Sequence, residues 1–181
     1  MHATICDMIT DLVQNSIEAN AKEITLNVEE TKKNLNIVIA DNGKGMSAET
    51  LEKAKDPFYS DGLKHPHRKV GLGLPFLFQT AEMTGGTATV ESEEGAGTTV
   101  SVHVDPTHVD LPQFGNFTTA AVTLMAFGFE GNLTIERSFN GRSYSVSKEE
   151  LIDVLGDLND TENLVLLKKF IASHEEDIGT L

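Results

Sequence analysis

The sequence predicts an α/β (α+β) two-layer sandwich in which helices cover one face of a mostly antiparallel sheet. Apolar residues recur at helical spacing in the first twenty residues and again after residue 71. Short alternating segments, typical of half-buried strands, follow each of these helices. The expected order over residues 1–105 is helix, two strands, helix, loop, helix and two strands. Residues 106–181 are expected to form a small separate α+β unit.

The first helix is predicted from an apolar stripe that recurs every three or four residues: Ile5, Met8, Ile9, Leu12, Ser16 and Ile17. Asn20 is expected to end it, because Asn tolerates the left-handed backbone conformation better than most residues. Alternating apolar residues then predict strands over residues 24–28 and 35–40, joined by a turn at 31–34.

The middle of the chain is predicted as a short helix, a long loop, a second long helix and a hairpin. Ser47 can cap a helix that runs to about Lys55. Residues 56–70 show no steady period and are expected to form a surface loop, which inside a compact domain is usually functional or disordered. A helix over 71–83 ends at two glycines, and strands over 87–92 and 98–104 follow.

The C-terminal unit is predicted to begin where Pro106 and Pro112 interrupt the pattern. A helix is expected over 117–127, and Asn140-Gly141 predicts a hairpin between strands 133–138 and 143–146. Ser147 and Glu150 have the spacing of a capping box before a further helix. The last helix is expected to carry a final apolar set: Leu164, Leu167, Phe170 and Ile171.

Composition and charge exclude several classes of function. The net charge is −14 among 181 residues, and it is divided evenly between residues 1–105 and 106–181, so nucleic-acid binding is not expected. The start has no signal-peptide pattern, and the most apolar stretch, 120–129, is too short to span a bilayer. The lone Cys6 lies on an apolar helix face, and a reducing, cytoplasmic location is expected.

One face of the first helix carries Asp11, Asn15 and Glu18, at positions i, i+4 and i+7. The simpler interpretation is a solvated polar face. The functional one is that Asn15 offers an amide oxygen to Mg²⁺, which prefers oxygen ligands. Asp11, one turn earlier, would then orient or deprotonate a nucleophile beside the cation.

The segment 41–46 follows a strand and contains two glycines. Taken alone it favours an ordinary turn. The alternative is that Asp41 accepts a hydrogen bond from a donor such as the exocyclic amine of adenine. Gly43 and Gly45 would then let a flat ring approach the backbone closely.

Gly71-Leu72-Gly73-Leu74 closes the long loop and opens a helix. The N-terminus of a helix attracts anions, and the preceding loop carries Lys64, Arg68 and Lys69 with no acid between 62 and 70. A phosphate site and a solvated basic loop are both compatible with this segment alone.

Taken together, five motifs resemble the GHKL superfamily of gyrase, heat-shock chaperone, histidine kinase and MutL ATPases. Residues 11–19 resemble the N box, 41–46 the G1 box, 56–59 the F box, and 71–74 the G2 box. Residues 95–99 resemble the last motif. The resemblance covers about residues 1–105 and implies a Bergerat-type ATP-binding fold.

The resemblance implies a role for each matching residue. Asn15 would hold Mg²⁺ against the phosphates of ATP. Asp41 would bind the adenine amine, supported by Thr98 or Thr99. Lys64 and Lys69 would help close a lid over the γ-phosphate. The remaining residues would shape the adenine pocket or present amides to the phosphates: Gly43, Gly45, Met46, Gly71, Leu72, Gly73 and Leu74.

The chain also departs from the family pattern. Asp11 stands where the ATPase branches usually have a catalytic Glu, which is one methylene longer. The strap used for dimer exchange and the helical hairpin that presents a phosphoacceptor histidine are not found. The expected function is therefore a stand-alone, kinase-like protein that binds ATP and Mg²⁺ and acts on a protein partner in trans. A nucleotide-gated binding module with little or no hydrolysis is the alternative. An interaction domain without a ligand would require five coincidental motifs.

Overall fold

The computed structural model describes residues 4–55 and 73–180, and within them the chain forms six helices and six strands. The helices are α1 Ile5–Glu18, α2 Ala48–Ala54, α3 Gly73–Thr84, α4 Phe117–Ala126, α5 Lys148–Leu155 and α6 Thr161–Ile178. The strands are β1 Glu23–Glu30, β2 Leu35–Asp41, β3 Thr87–Glu93, β4 Gly97–Val104, β5 Asn132–Phe139 and β6 Arg142–Ser147.

All six strands form one sheet in the order β3-β4-β2-β1-β5-β6. Neighbouring strands run antiparallel except β1 and β5, which are parallel and paired from Glu23 with Asn132 to Glu30 with Phe139. The predicted two-layer sandwich with a mostly antiparallel sheet is therefore confirmed.

The core lies on one face of this sheet. In β1, Ile24, Leu26 and Val28 are buried, whereas the alternate residues Glu23 and Thr25 are exposed. Helices α1, α3 and α6 contact the buried face, and α4 contacts both α1 and α6. This alternation, read from the sequence, correctly identifies the helix-covered face of β1.

Local chemistry sets most element ends. Asn20 adopts φ +59° after α1, and Asn140 and Gly141 both have positive φ at the β5–β6 turn, as predicted. Ser47 and Ser147 accept hydrogen bonds from the amides of Thr50 and Glu150, which confirms both predicted caps. No described helix, within 4–55 or 73–180, combines the length and apolarity needed to cross a bilayer.

The segment after residue 105 extends the same sheet. The β5–β6 hairpin adds to the free side of β1, and the apolar core continues through Leu133, Ile135 and Leu167. The two prolines suggest a separate unit because they interrupt local patterns, whereas pairing with β1 leaves no signal in a local pattern. The boundary at residue 105 stays a prediction, but the structure joins the two segments through one sheet and one core.

Candidate functional site

Asp41 ends β2 on the helix-covered face of the sheet and is half-buried. Its Oδ2 accepts a hydrogen bond from Ser16 Oγ of α1 at 2.6 Å. Its Oδ1 accepts from the amide of Gly43 at 2.8 Å. A carboxylate offers about four acceptor positions, so this anchored group retains capacity for a further donor. That is the property needed to bind an exocyclic amine.

The turn after Asp41 packs against the C-terminal end of α1. A Cβ on Gly43 would lie 2.8 Å from both the carbonyl oxygen and the Cβ of Ala19. The amide of Lys44 donates to that same carbonyl at 2.9 Å. Only glycine fits at position 43 without movement of backbone, and the contact fixes α1 relative to Asp41.

The same turn is bound to the β3–β4 hairpin on its other side. Gly45 has φ +62°, and a Cβ there would lie 1.8 Å from the carbonyl oxygen of Glu93. The amide of Met46 donates to Ser92 Oγ at 2.9 Å, and the amide of Gly95 donates to the Lys44 carbonyl at 2.7 Å. Three separate elements therefore meet at residues 41–46.

The strand register distinguishes the two candidate threonines. Thr98 lies opposite Asp41, on the helix-covered face, and its hydroxyl is 2.9 Å from Ser92 Oγ. Thr99 lies opposite Ala40 and therefore faces the other side of the sheet. The geometry favours Thr98 as the residue that supports Asp41. An open pocket of about 350 Å³ adjoins this pair, lined by Asp41, Glu91, Ser92, Glu93, Ala96, Gly97, Thr98 and Thr99.

Asp11 and Asn15 lie one turn apart on the same side of α1. Asp11 is half-buried and Asn15 is exposed. A Cβ on Gly73 would lie 3.2 Å from Leu12 Cδ2 and 3.5 Å from Asp11 Cβ, so the beginning of α3 packs directly on α1. Asp11 thus lies beside the first residue of α3, and Asn15 lies one turn nearer to Asp41.

Several predicted site residues lie outside the described residues: the F box at 56–59, Lys64, Lys69, Gly71 and Leu72. Their roles stay predictions. Leu74 is buried and belongs to the core, so any contact it makes with a phosphate would come from its backbone. Met46 is half-buried and packs against the core.

Sequence reasoning missed Ser16 and Ser92, which hold Asp41 and Thr98 in place. Ser16 occupies an apolar stripe and is 4% exposed, which is the signal that could have identified it. A buried hydroxyl needs a hydrogen-bond partner, and a carboxylate at the end of a neighbouring strand is a suitable one. Ser92 lies within a strand and gives no comparable signal.

At this site a magnesium ion would have one protein ligand, the amide oxygen of Asn15, and not a complete set of side-chain ligands. The described residues contain no cluster of three or more His, Cys, Asp or Glu side chains able to hold a metal. Asn15 presents an exposed amide oxygen, and Mg²⁺ commonly uses one or two protein oxygens together with phosphates and water. The donor set fits a metal that arrives with a nucleotide.

Cys6 lies apart from this chemistry. Its side chain is 4% exposed on the buried face of α1, as predicted. Burial raises the pKa of its thiol to about 12. A neutral, enclosed thiol behaves as a small apolar side chain and is not a nucleophile at neutral pH.

Residues 2–108 match the family described as histidine kinase-, DNA gyrase B- and HSP90-like ATPase. The chain is 35% identical over 100 residues to the histidine protein kinase DivJ of Caulobacter vibrioides, an overlap of 54% of this chain and 17% of that protein. It is 32% identical over 102 residues to the heme sensor protein HssS of Staphylococcus saprophyticus, covering 56% of this chain and 21% of HssS.

The sensor histidine kinase YvrG of Bacillus subtilis is 30% identical over 98 residues, covering 52% of this chain and 17% of YvrG. The matched region thus makes up about a fifth of the length of these relatives or less. Residues 2–108 contain every described residue of the candidate site. Through residues 2–108, the chain belongs to the histidine kinase-, DNA gyrase B- and HSP90-like ATPase family.

Proposed function

We propose that this protein binds ATP with Mg²⁺ between α1 and the β3–β4 hairpin and acts in signalling or regulation on a protein partner in trans. The observation that carries the proposal is Asp41, a carboxylate fixed by Ser16 and Gly43 with room to accept one more donor. The likeness to proteins named as histidine kinases supports the kinase-like branch. In this proposal the protein acts in the cytoplasm and the phosphoacceptor belongs to the partner.

In this proposal, different residues bind the adenine end and the phosphate end of the nucleotide. Asp41 and Thr98 bind the adenine end, and the amides at the start of α3 face the phosphates, where the helix dipole favours an anion. Mg²⁺ neutralises phosphate charge and is held from the protein side by Asn15. Since phosphoryl transfer depends mainly on positioning and charge neutralisation, the fixed geometry of α1 would carry most of the rate enhancement.

The experiment is a thermal-shift comparison of ATP, ADP and GTP, each with and without Mg²⁺. ATP and ADP should raise the melting temperature, ATP more strongly with Mg²⁺. GTP should have little effect, because guanine carries a carbonyl oxygen, which only accepts, where adenine carries the amine that would donate to Asp41. Asp41→Asn should remove the ATP shift, whereas Asp153→Asn, an exposed carboxylate on α5, should not. Equal shifts with GTP and ATP would contradict the adenine assignment.

A second function, a nucleotide-gated binding module with little hydrolysis, is favoured by Asp11. Its carboxylate is one methylene shorter than the Glu expected for an ATPase. A general base contributes about 10²–10⁴ in rate, so a misplaced one leaves binding intact and slows turnover. Phosphate release well above background that is abolished by Asp11→Asn would rule this module out. Labelled partner protein after incubation with γ-labelled ATP would support the kinase.

A further inference from the structure

The N-terminal end of α1 is held by a short segment of the C-terminal half of the chain, residues 113–115, which we call the α1 clasp. The amides of Ile5 and Cys6 donate to the carbonyls of Gln113 and Phe114, both at 2.9 Å. The first amides of a helix normally lack backbone partners, so this clasp satisfies groups that would otherwise face water.

Gly115 shows how closely the clasp approaches. Its φ is +91°, and a Cβ there would lie 2.7 Å from Thr4 Oγ1 and 3.2 Å from Cys6 Cβ. Thr4 is the N-cap of α1, with a capping box completed by Asp7. Any shift of the clasp therefore moves the beginning of the helix.

Behind the clasp lies Arg137 of β5, which is 1% exposed. Its guanidinium carbon is 5.2 Å from the ring centre of Phe114 and 5.1 Å from that of Phe117. The two rings stack on each other at 6.2 Å. A planar cation against aromatic faces is a directional contact. Arg137 therefore holds the ring of Phe114, whose carbonyl accepts from the Cys6 amide, and the ring of Phe117 at the start of α4.

The charge of Arg137 is balanced by two carboxylates from opposite directions. Its Nη2 donates to Glu30 of β1 at 2.5 Å, and its Nε lies 3.5 Å from Glu175 of α6 without an acceptor at hydrogen-bond distance among the described residues. Glu175 is itself buried and accepts from Tyr144 and Thr180, each at 2.7 Å.

Burying such a network gives little net stability, because desolvation offsets the attraction between the charges. The network instead fixes the geometry, since each side chain in it restricts the positions of the others. Helix α1 is consequently held at both ends: by Arg137 through the clasp at its start, and by Ser16–Asp41 and Ala19–Lys44 at its end.

We propose that Arg137 is a positioning residue for α1, and that the C-terminal segment thereby sets the placement of Asp11 and Asn15. The consequence for nucleotides rests on the proposed function. If the clasp loosens, α1 pivots about the end held by Asp41. Asp11 and Asn15 then move relative to the start of α3, while Asp41, on β2, stays in place.

The test is amide hydrogen exchange, followed by NMR on the full chain without nucleotide. Arg137→Met should speed exchange at Ile5 and Cys6 by about tenfold or more, with the amides of β2 unchanged. Arg142→Met is the matched control, because Arg142 belongs to the neighbouring strand, is exposed and contacts neither ring. Gly115→Ala, which disturbs the clasp directly, shows the exchange pattern expected of a loosened clasp.

Arg137→Lys covers the case in which the Met variant does not fold. It keeps a charge for Glu30 and Glu175 but lacks the planar group that stacks on the rings. Exchange at Ile5 and Cys6 should again rise selectively. Wild-type rates at these two amides in a folded Arg137→Lys protein would overturn the proposal, and so would a uniform rise across the sheet, which indicates a merely structural role.

A binding measurement connects the clasp to the site. Arg137→Lys should weaken Mg²⁺-ATP by more than about threefold, whereas Arg142→Met should not. Unchanged affinity alongside faster exchange would overturn the link between the clasp and the nucleotide. Failure of the wild-type protein to bind ATP would instead contradict the proposed function. The amide hydrogen exchange of the Arg137 variants would still decide whether Arg137 positions α1.

Discussion

Asp41 is the single residue on which the proposed recognition of adenine depends. Its segment alone favours an ordinary turn, and the acceptor role is the alternative that the family resemblance implies. The structure shows the carboxylate fixed by Ser16 and Gly43. The only sequence signal for Ser16 is its place in the apolar stripe of α1, and Ser92 gives no comparable signal, because the hydrogen-bond partners of both hydroxyls lie on other elements.

Asp41→Asn should weaken ATP binding by about 1–3 kcal/mol, roughly fivefold to 150-fold, because the half-buried acceptor is replaced by a group that also donates. Asn can still accept from the Gly43 amide, so the fold should survive. Calorimetric titration gives the affinities, and circular dichroism checks the fold. Should Lys64→Ala weaken ATP more than Asp41→Asn, the adenine assignment would be wrong.

Cys6 predicts a pH dependence of stability. Its pKa is raised by burial to about 12 in the folded chain from about 9.0 in the unfolded one. Between these values the folded state holds a proton that the unfolded state has lost. The free energy of unfolding should therefore fall as pH rises above 9, by up to about 1.4 kcal/mol per pH unit from this group.

The measurement is urea unfolding of the wild-type protein and Cys6→Ala at pH 7 to 10.5. The difference between the two should be constant up to about pH 8.5 and then shrink as the wild type loses this contribution. A difference independent of pH throughout the range would show that the thiol ionises equally in both states.

At the scale of elements, local chemistry predicts ends and turns well. The structure has the predicted helix end at Asn20, the predicted turn at Asn140-Gly141 and both predicted serine caps. Each of these features depends on the residue's own backbone conformation or on a hydrogen bond to a residue close in sequence. The parallel pairing of β1 with β5 could not be predicted in this way. Asn27 and Glu136, which hydrogen-bond across it at 2.8 Å, are 109 residues apart in the chain.

The meeting of the 41–46 turn with the β3–β4 hairpin predicts unequal effects of two glycine substitutions. Gly45 and Gly95 both have positive φ, but only at Gly45 would a Cβ strike backbone; nothing lies within 4 Å at Gly95. Gly95→Ala should cost about 1–2 kcal/mol of unfolding free energy through its backbone conformation. Gly45→Ala should cost at least about twice as much.

Urea unfolding of the two variants provides this comparison, with Gly95→Ala as the control for backbone strain. Gly45→Ala should also reduce the affinity for ATP, because Gly45 lies in the turn that begins at Asp41. Equal destabilisation by both substitutions would show that the close contact with the Glu93 carbonyl does not constrain the turn.

At the scale of the whole molecule, the family match ends at residue 108, whereas the sheet and core continue beyond it. Residues 109–181 supply β5, which pairs with β1, and the clasp that holds α1. Three of their apolar side chains, Leu124, Leu133 and Ile135, are fully buried. The boundary predicted at residue 105 stays a prediction, and the contacts that place both segments in one sheet and one core are long-range and leave no local sequence pattern.

A chain truncated after residue 108 should therefore be strongly destabilised. It would expose the edge of β1 and the apolar residues of α1 that now contact α4. We expect loss of a cooperative thermal transition or a fall of at least about 10 °C in Tm, measured by circular dichroism. A truncated chain that melts cooperatively near the full-length value would support the boundary predicted at residue 105.

Calorimetric titration of ATP into the 181-residue protein, with and without Mg²⁺, tests most directly whether the protein binds a nucleotide at Asp41. We expect one site per chain, tighter binding when Mg²⁺ is present, and loss of most of the heat in Asp41→Asn. Titrations that give no heat with ATP or ADP, or an Asp41→Asn protein that binds as tightly as the wild type, would contradict it.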